Sequence, residues 1–289
     1  MTTIGGIILR IGFIGAGKVG FTLGKYFAVH NIRISGYLSR KAESAEAAAE
    51  FTGSRWFKEL SELVALCDVI FITVPDAAIR EVFIELTKYD ITGKQLCHCS
   101  GAMSARDAFE GIEKYGAEGY SLHPLFPVSS KYDSYLTIGK AWFCIEGNGT
   151  HLPDWKAFFE KLGNPVRILS HKDKTAYHAA CTVASNLVCA LVYESIETLE
   201  KCGFSECEAL TALEPLITAN INSILKNGVV DALTGPVERC DCGTVQKHLS
   251  CFEEGKEREL YRAASLKLVD IAKKKHPDAD FSVFDGILY

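Results

Sequence analysis

The apolar run Ile7–Ile14 ends in Gly15-Ala16-Gly17-Lys18-Val19-Gly20, and apolar residues then recur at helical spacing over Lys18–Val29. An apolar strand, a three-glycine turn and a helix in that order leave few folds open. Gly15 permits the tight bend, Gly17 lets a diphosphate approach the backbone, and Gly20 lets the helix close on the sheet. The N–H groups that open a helix have no partners within it and suit an anion. Gly15, Ala16, Gly17, Lys18, Val19 and Gly20 are therefore candidate cofactor ligands. The plainer alternative is a glycine turn needed for packing alone.

Further strands are read at Ile32–Leu38, Asp68–Val74, Gln95–Cys99, Gly119–Leu122, Ala141–Ile145 and Val166–Leu169. Helices are read at Ala42–Phe51, Leu60–Leu66, Ala77–Leu86 and Pro153–Leu162. Strands alternating with helices predict an α/β domain over residues 1–170, a doubly wound (Rossmann), mostly parallel sheet. No strand is legible from His171 onward. Lys174–Lys201 reads as one long helix stopped at Cys202-Gly203, and Glu206–Lys226 as the next, with Ser205 as its N-cap. Helices near Thr244–Phe252 and over Arg258–Lys275 complete an all-α domain over residues 171–289. A length of 289 residues suits two domains.

The formal net charge is −5, with no basic stripe, which argues against nucleic-acid partners. The N-terminal apolar run lacks a basic leader and reads as a strand rather than an export signal. No uninterrupted apolar stretch of about 20 residues indicates a membrane span. Eleven cysteines without an export signal point to free thiols and a cytoplasmic setting. Neither Cys97-His98-Cys99 nor Cys240-Asp241-Cys242 has zinc-site spacing, so no metal is expected.

At the end of the second strand an NAD site usually carries an acidic residue. Here Ser39-Arg40-Lys41 supplies a hydroxyl and two cations, which suit the 2′-phosphate of NADP(H); the alternative is a solvated loop. Val74-Pro75 follows a later strand and should border the cofactor. Ser100, after the next strand, can meet both nicotinamide and substrate, or N-cap the helix that follows.

His123, just past a strand in Ser121-Leu122-His123-Pro124-Leu125, is the first candidate proton donor, and His178 the second. His178, Thr182 and Asn186 are spaced by four on one helix face, lining either a wet cleft or a helix–helix contact. In Leu233–Thr244, Arg239 is a natural clamp for a carboxylate. Asp241 either orients Arg239 or caps a helix whose one face holds Thr244 and His248. A purely structural turn and cap is the alternative.

Gly15–Gly20, Ser39-Arg40, Ser121–Leu125, His178-Ala179-Ala180, Ser185-Asn186 and the stretch Leu233–Leu249, read as L-T-G-P-x-x-R-x-D-x-x-T-V-x-x-H-L, resemble the Rossmann-like proteins with a C-terminal DUF2520 domain. The family pattern has glycine after the arginine, where this chain has Cys240. The family is similar to the 6-phosphogluconate dehydrogenase-like group of NADP enzymes, which includes ketopantoate, pyrroline-5-carboxylate and prephenate enzymes. The hydroxyacid dehydrogenases of that group carry a catalytic lysine on the long helix; the matching position here is Thr182, so a histidine or a water must take its place. The resemblance implies hydride transfer between NADPH and a small carbonyl acid, ketopantoate among them, with Ser100 and Asn186 on the reacting oxygen. It also implies a homodimer through the helical domain. An imine reductase or prephenate-type dehydrogenase, and an NADPH-binding sensor without turnover, stay open as alternatives.

Overall fold

The structure, a computed structural model, describes residues 3–4, 7–8 and 10–288. The chain divides into two compact units at Ala184/Ser185. In the first, β1 (Thr3–Ile4) pairs with β2 (Ile7–Ile8) in a short antiparallel hairpin. The run read as one strand over Ile7–Ile14 is therefore divided, its second part being β3 (Ile11–Ile14); Leu9 lies outside the described residues.

β3 is joined in an eight-stranded sheet by β4 (Ile34–Leu38), β5 (Arg55–Trp56), β6 (Val69–Ile72), β7 (Gln95–His98), β8 (Glu118–Leu125), β9 (Trp142–Gly147) and β10 (Val166–Ile168). The spatial order is β10-β9-β8-β7-β6-β3-β4-β5. Every pairing is parallel except β8 with β9. The predicted doubly wound, mostly parallel sheet is the one observed.

Alternation along the strands builds two cores, one per face. Phe13, Phe71 and Cys97 point into one, which is covered by α1 (Lys18–Val29), α2 (Ala42–Thr52) and α6 (Leu152–Lys161). Ile14, Ile72 and Leu96 point into the other, under α3 (Leu60–Leu66), α4 (Asp76–Leu86) and the short α5 (Ala105–Ala108). The first core is largely aromatic: Phe13 stacks on Phe71 at 5.2 Å, and Trp155 meets Phe71 edge-on at 5.7 Å. The buried indole N–H of Trp155 donates to Gln95 Oε1 at 2.8 Å, so this polar atom is satisfied in the core. The unit ends with α7 (Lys174–Ala184).

The second unit contains α8 (Asn186–Glu200), α9 (Glu206–Asn227), α10 (Val229–Ala232), α11 (Cys242–Ser250), α12 (Lys256–Lys275) and α13 (Asp285–Leu288), with no strand among its described residues. Ser205 opens α9 with a capping box to Glu208. Val245, Leu249, Val269 and Phe284 are among the residues of its own core.

The single helix read over Lys174–Lys201 is broken. Ser185 has φ −124° and ψ −71°, between α7 and α8. Its hydroxyl donates to Asn186 Oδ1 at 3.0 Å. One further expectation changes here. His178 and Asn186 do not share an unbroken helix, so spacing by four does not relate them. The segment His171–Glu200 is also long and apolar enough to cross a membrane by length and composition alone, at mean hydropathy 1.5 with 6% of its window buried.

Candidate functional site

Gly15 has φ +104°, and a Cβ there would meet Thr73 O at 2.6 Å. A Cβ on Gly20 would lie 2.6 Å from Gly15 O, so α1 sits too close to the turn for any side chain. Gly17, the N-cap of α1, differs: its Cβ would meet nothing nearer than Thr73 O at 3.9 Å, and no side chain caps the helix. The backbone at this point is bare and its surroundings are open.

That opening belongs to a cavity of 670 Å³ bordered by Gly15–Gly17, Ser39–Lys41, Lys58 and Thr73–Pro75. Ala16, Val74 and Pro75 border it, after the carboxyl ends of parallel strands. Lys18, Val19 and Gly20 begin α1 but do not border the cavity. Lys58 was missed. It follows β5, a strand of two residues too short to leave a periodic signal. The cavity lining therefore includes three cations, Arg40, Lys41 and Lys58, and one carboxylate, Glu81.

A second cluster forms along β7, β8 and α7. His123 lies within β8, opposite Cys144 of β9, rather than past the strand, because the antiparallel pairing carries through Pro124 to Leu125. Its Nδ1 is 2.6 Å from Tyr177 Oη, and its ring stacks at 6.4 Å on His178. A Cβ on Gly101 would fall 2.9 Å from His123 Nε2 and 3.2 Å from His178 Cδ2, so only glycine fits there. Ser100 is buried; its hydroxyl donates to Asp76 Oδ2 at 2.6 Å and accepts the Ala102 and Met103 N–H groups. The following helix is capped by Ser104 instead, which corrects the N-cap reading of Ser100.

Burial, with repulsion from Lys174 and His178, pushes the His123 imidazole down to about 3. The ring is neutral near pH 7 and carries one N–H. Burial pushes the Tyr177 phenol well up, so it keeps its proton. The sequence reading gave Tyr177 no role. It directly precedes His178 in the chain, but only the fold aims it at His123.

In the helical unit Asp241 caps α11. It accepts the Thr244 N–H at 3.0 Å and the Thr244 hydroxyl at 2.7 Å, which settles its role as the cap and ties up the Thr244 side chain. His248 Nδ1 is 2.8 Å from Tyr261 Oη. Arg239 and Asn186 are exposed. Cys240 has φ +57°, the left-handed region in which the family pattern has glycine. Among the described residues no group of three or more His, Cys, Asp or Glu is arranged to hold a metal.

Fold and turn together define a Rossmann-type dinucleotide-binding domain followed by a helical unit. Residues 10–100 match the family model for coenzyme F420-dependent NADP oxidoreductases, and residues 141–268 match that for DUF2520, a domain of unknown function. The two matches are consistent with a Rossmann-like oxidoreductase family. No curated protein matches the chain. Among solved structures, a Thermotoga maritima protein is 28% identical, covering 92% of this chain and 99% of its own, with a TM-score of 0.74. A Bacteroides fragilis protein described as an NADP oxidoreductase is 22% identical over 91% and 98%, with a TM-score of 0.69. A reductive aminase from Aspergillus terreus, in complex with NADPH and ethyl-5-oxohexanoate, is 14% identical over 97% and 99%, with a TM-score of 0.64. The last two identities speak for the fold alone.

Proposed function

We propose that the chain is an NADP(H)-dependent reductase of a small molecule bearing a C=O or C=N group. The observation that carries this reading is the cavity in which the bare backbone at Gly17 meets Arg40, Lys41 and Lys58. An uncapped helix start suits a diphosphate. A hydroxyl and three cations suit a further phosphate dianion, which NADP(H) has and NAD(H) lacks. Bound there, the reduced nicotinamide supplies hydride.

The protein's own part is the proton. In one tautomer Tyr177 donates to His123 Nδ1 and leaves the proton on Nε2. The Nε2 proton can pass to an oxyanion formed from a carbonyl while the Tyr177 proton moves to Nδ1, and solvent water then returns a proton to the Tyr177 oxygen. Ketopantoate is the first carbonyl acid to test. The C=N alternative is favoured by the reductive aminase of the same fold. A panel of keto acids and cyclic imines, followed by NADPH absorbance, tests the proposal. Turnover of one class identifies the substrate; silence throughout, with tight NADPH binding, means a sensor.

We also propose a homodimer through the helical unit. Leu187, Leu191 and Tyr193 of α8 and Leu210, Leu216 and Leu225 of α9 are exposed apolar side chains, more than a lone soluble helix pair usually presents. Light scattering should give twice the mass of one chain; a monomer at micromolar concentration would remove this proposal.

A further inference from the structure

Lys174 is 1% exposed, yet it forms no ion pair among the described residues. Its only side-chain hydrogen bond among them runs from Nζ to Ser121 Oγ, at 2.6 Å. Lys174 and Tyr177 are three apart on α7, hence on one face of that helix. Ser121 and His123 are two apart on β8, hence on one face of that strand. The Lys174–Ser121 and Tyr177–His123 bonds are thus two rungs of one ladder between the helix and the strand, both 2.6 Å long.

We propose that Lys174 is a positioning residue of the reaction centre: through Ser121 it sets the register of α7 on β8 and so aims the Tyr177 hydroxyl at His123. The inference rests on the proposed role of that pair as proton donor. A buried ammonium supported by one hydroxyl and by the face of the Tyr177 ring, 5.8 Å from Nζ, but by no ion pair, costs stability, and an apolar side chain of similar volume would cost less. Stability alone therefore does not account for a lysine here. Burial pulls the ammonium below its ordinary range, opposed by Glu146 and Cys144 on β9, Cys99 after β7 and Asp76 on α4. From β7 and β8, His98 and His123 face it and are held neutral by burial first and by the Lys174 charge second.

The test uses Lys174→Met, Ser121→Ala and the double variant in the full-length protein. Each single variant is expected to lower kcat about tenfold or more, with NADPH affinity within about twofold. The double variant should be no worse than the single ones, since both remove one rung. The melting temperature of Lys174→Met should hold or rise. In nitrogen-15 spectra the His123 Nδ1 signal should move from a hydrogen-bonded toward a free acceptor in both single variants. The acid limb of the rate profile should move up by about one pH unit in Lys174→Met, as a like charge is removed from beside His123. Turnover within twofold of the parent, additive losses, or a fall in melting temperature together with lost NADPH binding would each overturn the proposal. If the parent turns over no substrate, the Nδ1 signal still decides between a ladder and two unrelated bonds, so failure of the reductase assignment is told apart from failure of this one.

Discussion

Replacing Arg40 and Lys41 together by alanine should raise the dissociation constant of NADPH about 30- to 150-fold, while that of NADH moves no more than about threefold. The size follows from what the two side chains offer. Charge-assisted hydrogen bonds are worth about 1.5–3 kcal/mol each when shielded. Arg40 and Lys41 are exposed at the rim of the cavity, so solvent screening brings the pair to about 2–3 kcal/mol together. Lys58 stays in the double variant and keeps part of the attraction. Raising the salt concentration should shrink the difference between parent and variant, because exposed charges are screened over about 10 Å at 0.1 M. Fluorescence titration with both cofactors checks the expectation. An equal loss for NADPH and NADH would move these cations away from the 2′-phosphate, and no loss for either would detach the loop from cofactor binding altogether.

Much of this cavity could be read without coordinates because its parts are short stretches, each carrying its own local pattern. Gly15 to Gly20 encode the turn in their spacing, and Ser39 to Lys41 follow a strand whose five residues carry a clear apolar pattern. The elements that escaped notice are those whose reasons are tertiary. Lys58 reaches the cavity from a two-residue strand that exists only because β4 is there to pair with it. Lys174 looks like one of many helical lysines until β8 is seen opposite. The break at Ser185 was hidden for the converse reason. Apolar periodicity runs on through it, and only the backbone angles at Ser185 show the break. At another strand the error ran the other way: the strand was read as ending at Leu122, before His123-Pro124, yet β8 runs through both to Leu125.

Replacing His123 by alanine should cut turnover of a carbonyl substrate about 10²–10⁴-fold, with NADPH binding nearly unchanged. Tyr177→Phe should fall in the same direction by less, since it leaves the imidazole in place and removes only the group that refills it. The substrate class decides how general the loss is. Hydride addition to a carbonyl leaves an oxyanion that must find a proton. Hydride addition to a protonated imine yields a neutral amine and needs none. Both variants should therefore spare an iminium substrate while crippling a ketone, and equal losses on the two would mean that His123 positions substrate rather than delivering a proton. The pH dependence follows with a definite sign. His123 is held down to about 3 in the folded protein, against an ordinary value of 6.5. Its ionisation should therefore leave the rate flat from about pH 5 to 8. Stability should fall as the pH drops below about 6.5 toward 3, because the unfolded chain takes up a proton that the folded one refuses. His98, also held down to about 3, contributes in the same window. His123→Ala should flatten part of that acid decline in melting temperature, and a decline that is unchanged in the variant would show that the ring is not held neutral by its surroundings.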